Sequence, residues 1–516
     1  MGSPGSPASA SSVSSVPSLR NPGVSSAPRS ARSSQPRRPN YSEFQATCTP
    51  AVRRILRRQM KLSDFDGRAC AARRSRLAMK LGTQPALVAA GAPRPRTSAG
   101  NTYPFRAASH FLYLFGLHLP HAFGLWTGER WVLFLPELGA DFALWHGQAP
   151  GPSELSAALA CPIELRPALA EAVAGRSVAT LPALDHETCA EQSQLLGRPI
   201  AYGKLDALDH PLADALIEMR LVHDHAAIAA LRRAANATAA AFHAGIRAVL
   251  PGINESVVRA AMEAEFVRRD MGVSYNSIVT VHGEVLHNEE YHHELKSGDL
   301  LLVDVGAETA DGWAGDVTRT WPVSGRYSPT QRDFYQVVLH AQQSVIAAVR
   351  PGVPFRELHF LAGRLIAEGL VNLGVLRGDP AELAADGVVA LFFPHGLGHL
   401  IGLDVHDLED LGDRATYAPG RTRSTEPGLR TLRLDRDLCA GMAITVEPGL
   451  YLVPAILDDP ARTALAGDRL RRDRLAAFAD VRGIRIEDDV LVTSDGYEVL
   501  TTAIRKGADA IEREMG

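Results

Sequence analysis

The sequence predicts a mixed α/β (α+β) protein with two folded domains behind an unstructured leader. Three observations carry that expectation. At 516 residues the chain exceeds one typical hydrophobic core. Apolar runs of strand length, bounded by turn residues, recur along it, among them ALVAAGAP (86–93), GERWVLFLP (128–136) and Leu300–Val303. Between these runs, apolar residues fall at helical spacing, as at Ile228, Leu231 and Ala235 and again at Val258, Met262 and Phe266.

Residues 1–40 are rich in Ser, Pro, Arg, Ala and Gly, and no acid precedes Glu43. Such a composition cannot bury enough apolar surface to fold, so residues 1–59 are expected to be a disordered tail. An acid-poor Arg/Ser segment is also the composition of organelle transit peptides. Its prolines, and the lack of an early amphipathic helix, favour instead a start at Met60, which opens MKLSDFDGRAC. Residues 60–215 are expected to form an α/β domain containing the two strands at 86–93 and 128–136. A junction near 211–218 leads into residues 216–516. There the first amphipathic helix ends at Pro251-Gly252, and Asn254 caps the next. Leu300–Val303 and GDVTRT around Asp316 read as a hairpin turned at Asp311-Gly312.

A hydrophobic fraction of 46% suits globular folding, and a net charge of −4 gives no strong pull to nucleic acid or membrane. No apolar run approaches the ~18 residues of a membrane span. The five cysteines (Cys48, Cys70, Cys161, Cys189 and Cys439) form no CxxC pair, which points to a reducing, cytoplasmic compartment; an organellar one is the alternative if the leader is a transit peptide.

Five residues in the last 215 positions form a ligand set for two metal ions. They are Asp304 and Asp316 in VDVGAETADGWAGDVTRT (303–320), His399 in FFPHGLGHLIGLDVHD (392–407), Glu447 in ITVEPGLY (444–451) and Glu487 in GIRIEDD (483–489). Each fragment alone reads equally well as a strand that ends in a solvated acid or turns at a Pro-Gly. Together they place four carboxylates beside apolar strand residues, where an acid is costly unless paired or metal-bound. Four carboxylates and one imidazole suit Mn²⁺, Co²⁺ or Zn²⁺. Two such ions can share a hydroxide and clamp a scissile carbonyl, so the chain reads as a hydrolase.

The order and wording of these motifs, over roughly residues 60–505, resemble the creatinase, aminopeptidase P and prolidase family. YPFR (103–106), within a stretch running to Gly116, resembles that family's creatinase-like N-terminal domain. The resemblance implies a pita-bread catalytic domain with a dinuclear, usually manganese, centre. It implies that Asp304 chelates one metal, Asp316 and Glu487 bridge both, and His399 and Glu447 complete the other shell. Eleven residues separate the two aspartates, one more than the commonest family spacing. The extra residue must fall in the turn near Ala310–Gly312 or in a bulge, because a one-residue slip in a strand turns a ligand to the opposite face.

By the same resemblance His287, His395 and His406 line the cleft and donate hydrogen bonds to the substrate carbonyl. Gly396 and Gly398 argue against a regular helix across His395 and His399. His292 and His293 read as surface residues, and Arg106 and His110 as structural. Arg485 and Tyr451 are expected at the active site. Glu447 is expected to take the nucleophile's proton and pass it to the leaving proline nitrogen.

The implied activity is an Xaa-Pro aminopeptidase acting on proline-containing peptides, with an Xaa-Pro dipeptidase (prolidase) as the alternative. YPFR and GLGHLIGLDVHD lean to the former. An insertion (452–478) and GLRTLR (428–433) lean to the latter, since Arg433 there could grip a dipeptide's carboxylate or else pair with Asp435 or Asp437. A metal-free binding module is the remote alternative. Relatives commonly form dimers or tetramers, so self-association is expected.

Overall fold

Strand-length apolar runs and period-3.6 segments become a sheet with helices on both faces in the first half of the chain, and small sheets backed by helix pairs in the second. The computed structural model describes residues 65–139 and 141–516; the expected tail, 1–59, lies outside them. A five-stranded sheet organises the first half, in the order Ile163–Leu165, Trp131–Leu135, Phe123–Trp126, Ala86–Ala89, Ala179–Thr180. The inner strands run antiparallel and each outer strand pairs parallel. Side chains alternate across it with the period of two that strands impose. Val88 and Leu133 join the core under helices Gly67–Leu81 and Ser109–Phe115, while Leu87 and Val132 face Leu169 and Val173 of helix Pro167–Val173.

The stretch 211–218, where the junction is expected, lies inside the helix His210–Leu221. The helix gives way at Val222–Asp224. Its apolar residues (Leu212, Leu216, Met219) cover a face that docks on the first half's core. That core is continuous with Trp313, Ile401, Leu403 and Leu491 of the second half.

Two helix pairs back the catalytic half: His225–Ala248 on Glu255–Val267, and Pro329–Ala348 on Phe355–Asn372. Their linkers read VLPGIN (249–254) and VRPGVP (349–354). Gly252 and Gly352 both adopt positive φ, 91° and 86°, which glycine tolerates without strain. Gly252 N donates to Leu295 O (2.8 Å) and Gly352 N to Leu438 O (2.7 Å). Asn254 then bridges Glu294 as Pro354 bridges Asp437. Each half of the catalytic fold thus repeats the same helix–linker–helix unit, with a Pro-Gly at the same point of each linker. Asn254 stands at the helix start, but its side chain makes no capping bond.

Each repeat delivers a small antiparallel sheet. One orders Thr318–Pro322, Leu300–Asp304, Ile278–Thr280; the other orders Ala443–Val446, Asp488–Val492, Tyr497–Val499, with Gly449–Tyr451 paired to Gly483–Arg485 alongside. No helix among the described residues is long and apolar enough to cross a membrane.

Candidate active site

The hairpin register places the two aspartates. Asp304 pairs with Thr318, Val305 N donates to Val317 O (3.1 Å), and Glu308 bridges Ala314. The ladder therefore runs without a slip from strand to turn, and the extra residue is absorbed in the loop Thr309–Trp313, where Gly312 takes φ 94°. Asp304 and Asp316 consequently point to one face. Asp316 stands opposite Gly306, where a Cβ would lie 1.7 Å from Gly315 O. Glycine at 306 is what lets the two strands close at the ligand pair.

The remaining donors arrive from the second repeat. His399 lies in the irregular segment after Pro394, held by Thr445 N to His399 O (2.9 Å) and His399 N to Thr445 Oγ1 (3.1 Å). Its Nδ1–H donates to Leu400 O (3.0 Å), which turns Nε2 towards Asp316 Oδ2 (3.4 Å) and Glu447 Oε1 (3.6 Å). Glu447 follows strand Ala443–Val446. Glu487 lies in the turn between two strands, where its Oε2 accepts from Thr318 Oγ1 (2.7 Å). Single ligand atoms of Asp316, His399 and Glu487 lie within 4.8 Å of one another.

Asp304, Asp316, His399, Glu447 and Glu487 all line one cavity of about 670 Å³, together with His287, His395, His406, Arg433 and Arg485. That volume falls within the roughly 300–1,000 Å³ of small-ligand sites. Tyr451 is not on its wall. The phenol is fully buried beneath it, where its hydroxyl accepts from Arg485 Nη1 (2.9 Å) and donates to His395 Nε2 (2.9 Å). With Nδ1–H donated to Gly396 O (2.8 Å), both His395 nitrogens are engaged. The structure thus makes Tyr451 and His395 positioning residues rather than free donors. Arg485 is buried, and it donates to Asp304 Oδ2 (2.6 Å) and Thr318 Oγ1 (3.0 Å) as well as to Tyr451.

The electrostatics describe a centre short of positive charge. Burial raises the Asp304 carboxyl, and burial with the charges of Asp316 and Glu447 raises Glu487 well above the usual range. Burial pushes Glu447 up to about 7 against the pull of His399 and Arg485. Burial works against the His399 imidazolium, but the bond to Asp316 and the charge of Glu447 outweigh it and lift the ring to about 9. Carboxylates so placed favour a cation among them. Four carboxylates and one imidazole nitrogen, the bonds by which Arg485 and Thr318 hold Asp304 and Glu487, and this excess negative charge fit two hard-to-borderline divalent ions.

Burial, and in second place the charge of His399, holds His406 down at about 2. Burial and then Arg485 hold His395 at about 3 and lower His287. All three rings are neutral near pH 7. Arg433 meets neither Asp435 nor Asp437; its Nη1 donates to Glu409 Oε2 (2.7 Å) at the cavity wall. Asp435 is taken by Arg356 and Arg421. The insertion 452–478 folds as short helices and contributes nothing to the cavity wall.

Several wall residues escaped the sequence reading, Tyr275 and Glu409 among them. Tyr275 donates its hydroxyl to Asp304 Oδ1 and Asp316 Oδ1, the latter at 2.6 Å. It sits in GVSYNSI, which carries no motif. Glu409 also lines the cavity, three residues after His406, a spacing that would have pointed to it. Arg106 and His110 of the first half do not enter the cavity. Arg106 pairs with Glu308 (2.6 Å) and Asp404 (3.3 Å), and His110 Nε2 meets Asp410 (2.9 Å). Arg220 adds bonds to Asp404 (3.1 Å) and Asp407 (2.6 Å), so this network braces the loop that carries His406.

Residues 229–494 match the model of metallopeptidase family M24, and residues 70–163 match the aminopeptidase P N-terminal domain. The Xaa-Pro aminopeptidase of Escherichia coli K12 is 32% identical, over 86% of this chain and 96% of that protein. The structure of Pseudomonas aeruginosa aminopeptidase PepP superposes with a TM-score of 0.72 at 29% identity, covering 87% of this chain and 98% of that one. Aminopeptidase P from E. coli with the inhibitor Pro-Leu gives 0.71 at 29% identity, over 88% and 99%.

Proposed function

Because the chain belongs to metallopeptidase family M24, with an aminopeptidase P N-terminal domain ahead of the catalytic one, we propose that it is a metal-dependent Xaa-Pro aminopeptidase. It releases the N-terminal residue from peptides whose second residue is proline. The observation that carries this reading is the convergence of Asp304, Asp316, His399, Glu447 and Glu487 on one cavity.

Asp304, Asp316 and Glu487, with His399 and Glu447, would hold two divalent ions, with Mn²⁺ as the proposed pair and Co²⁺ or Zn²⁺ as alternatives. Bound there, the ions lower the pKa of water and polarise the scissile carbonyl. Glu447 accepts the proton of the attacking water and returns it to the leaving proline nitrogen. His287 and His406, held neutral by burial, each keep an N–H to offer the carbonyl oxygen as charge develops. Arg485 fixes the Asp304 carboxylate, and Tyr451 fixes His395 against Glu447, whose Oε2 is 3.8 Å from His395 Nδ1.

Arg433 supports the aminopeptidase over the dipeptidase. Its guanidinium is already matched by Glu409, so a dipeptide's terminal carboxylate approaching it meets a second negative charge. A longer peptide presents a neutral amide at that point. The test is to strip the protein of metal, reload it with Mn²⁺ and compare Xaa-Pro with Xaa-Pro-Xaa substrates. Faster turnover of the tripeptides supports the proposal, and cleavage confined to dipeptides replaces it with prolidase.

Homo-oligomerisation remains part of the proposal, supported by exposed Leu138, Leu144 and Trp145 on one segment of the first half. A cytoplasmic setting is supported by free thiols at Cys70, Cys161, Cys189 and Cys439.

A further inference from the structure

The segment that brings His287 to the cavity continues outward as Glu290-Tyr291-His292-His293, and there a second set of metal-type donors gathers. One oxygen of Glu290 and one ring nitrogen each of His292 and His293 lie within 4.8 Å of one another. His292 Nδ1 is 3.8 Å from Glu290 Oε2, and these two side chains are 69% and 73% exposed. The His293 ring lies between those of His292 and His282, tilted against both, at centroid distances of 4.2 and 4.3 Å. His282 Nδ1 is already occupied, as it accepts from Arg482 Nη2 (2.6 Å).

The independent sign of a built site lies underneath. Glu255, fully buried in the first turn of helix Glu255–Val267, accepts at Oε2 from His293 Nδ1 (2.9 Å) and His293 N (3.2 Å). Its Oε1 accepts from Val281 N (2.8 Å). A carboxylate that takes the Nδ1 proton fixes the tautomer and leaves the Nε2 lone pair free, the outer-shell arrangement typical of metal-ligating histidines. None of these groups has a part in peptide hydrolysis as derived above.

We propose that Glu290, His292 and His293 form a third divalent-cation site, distinct from the dinuclear centre. Two imidazoles and one carboxylate select a borderline cation of the Zn²⁺ class over Mg²⁺ or Ca²⁺, with water completing the shell. Metal–ligand bonds of about 2.0–2.2 Å require the donors to close in. His293 is the fixed member; Glu290 and His292, mostly in solvent, are free to swing to it. The ion ties residues 290–293 to helix Glu255–Val267 through His293 and Glu255. The adjoining Glu289 lines the cavity and accepts from Asn276 Nδ2 (2.9 Å), so the ion stiffens the wall that presents His287.

The test is Zn²⁺ titration of the metal-free full-length protein against a chromophoric chelator, with bound metal counted after desalting. Wild type is expected to hold three Zn²⁺ per chain and His292→Ala two, with equal melting temperatures in chelator. Asp316→Asn, which disrupts the dinuclear centre, is expected to retain an ion that the further change His292→Ala removes. Equal stoichiometry in wild type and His292→Ala overturns the proposal. Loss of peptidase activity alone does not touch it, since the site stands independently of the function proposed above.

Discussion

Arg485→Lys isolates geometry from charge at the centre of the site. The guanidinium spans three buried acceptors: Asp304 Oδ2 at 2.6 Å, Tyr451 Oη at 2.9 Å and Thr318 Oγ1 at 3.0 Å. A lysine ammonium keeps the positive charge but sits at one point. It can satisfy Asp304 and leaves the two hydroxyl groups short of a donor. Each hydroxyl keeps the bond it donates, Thr318 to Glu487 and Tyr451 to His395, so each lost bond costs about 0.5–1.5 kcal/mol, giving roughly 1–3 kcal/mol of lost stability in all. Tyr451 then holds His395 less firmly, and Asp304 loses the fixed geometry that Arg485 and Thr318 impose. Outer-shell losses of this kind lower metal affinity or turnover about 10–100-fold. The assay is steady-state cleavage of an Xaa-Pro-Xaa peptide by Mn²⁺-reloaded protein, with metal content and melting temperature measured on the same samples. Arg485→Met serves as the control that also removes the charge. It leaves Asp304 unpaired, at about 3–5 kcal/mol for a broken buried pair, and is expected to melt lowest when metal-free. Wild-type turnover and melting in Arg485→Lys would refute the argument, because the three-way fork would then have no function.

Four other outcomes are expected. Asp316→Asn or Glu487→Gln lowers bound metal and abolishes activity together; near-normal activity with metal retained would end the dinuclear reading. His406→Ala lowers kcat by about 10²–10³ with metal content unchanged, as for loss of a donor to a developing oxyanion; an effect on metal content instead would make His406 a ligand. Arg433→Met leaves tripeptide turnover close to wild type. A selective loss of dipeptide turnover would show that Arg433 binds a terminal carboxylate after all. Asp224, which caps helix His225–Ala248, is opposed by burial, but the bond from Arg73 holds its carboxyl at about 2, below the ordinary 3.8. Because the folded value is the lower, its stabilisation is present above pH 3.8 and is lost between pH 3.8 and about 2. Asp224→Asn keeps the cap but gives up about 2 kcal/mol at pH 7. Equal urea midpoints for the two proteins at pH 7 would contradict this.

The ligand motifs were legible because each carboxylate sits beside apolar strand residues, where an unpaired acid is expensive. Strand periodicity, anchored by the Asp311-Gly312 turn, required the extra hairpin residue to fall in the turn or a bulge, and the turn holds it. Positions set by tertiary contact were not legible. Tyr275 belongs to no motif, and it reaches both aspartates only because the chain folds it over the hairpin. Tyr451 shares the motif and the strand parity of Glu447, yet it is fully buried behind the wall residues His395 and Arg485, which take up its hydroxyl. The partner of Arg433 could not be guessed from nearby acids, since Asp435 and Asp437 are drawn off by Arg356 and Arg421. The amphipathic pattern of His210–Leu221 announces a helix but not which core it serves.

The network of Arg106, His110 and Arg220 bears on how this scaffold can be cut and rejoined. Removing the first half would bare Trp313, Ile401 and Leu403, which now share its core, and leave Asp404, Asp407 and Asp410 facing one another without their counter-charges. The loop that carries His406 would lose its buttress. The leading half therefore works as scaffolding for the trailing one. A chimera between related chains should hold activity only when the arginine–aspartate pairs across the seam are transplanted as a set.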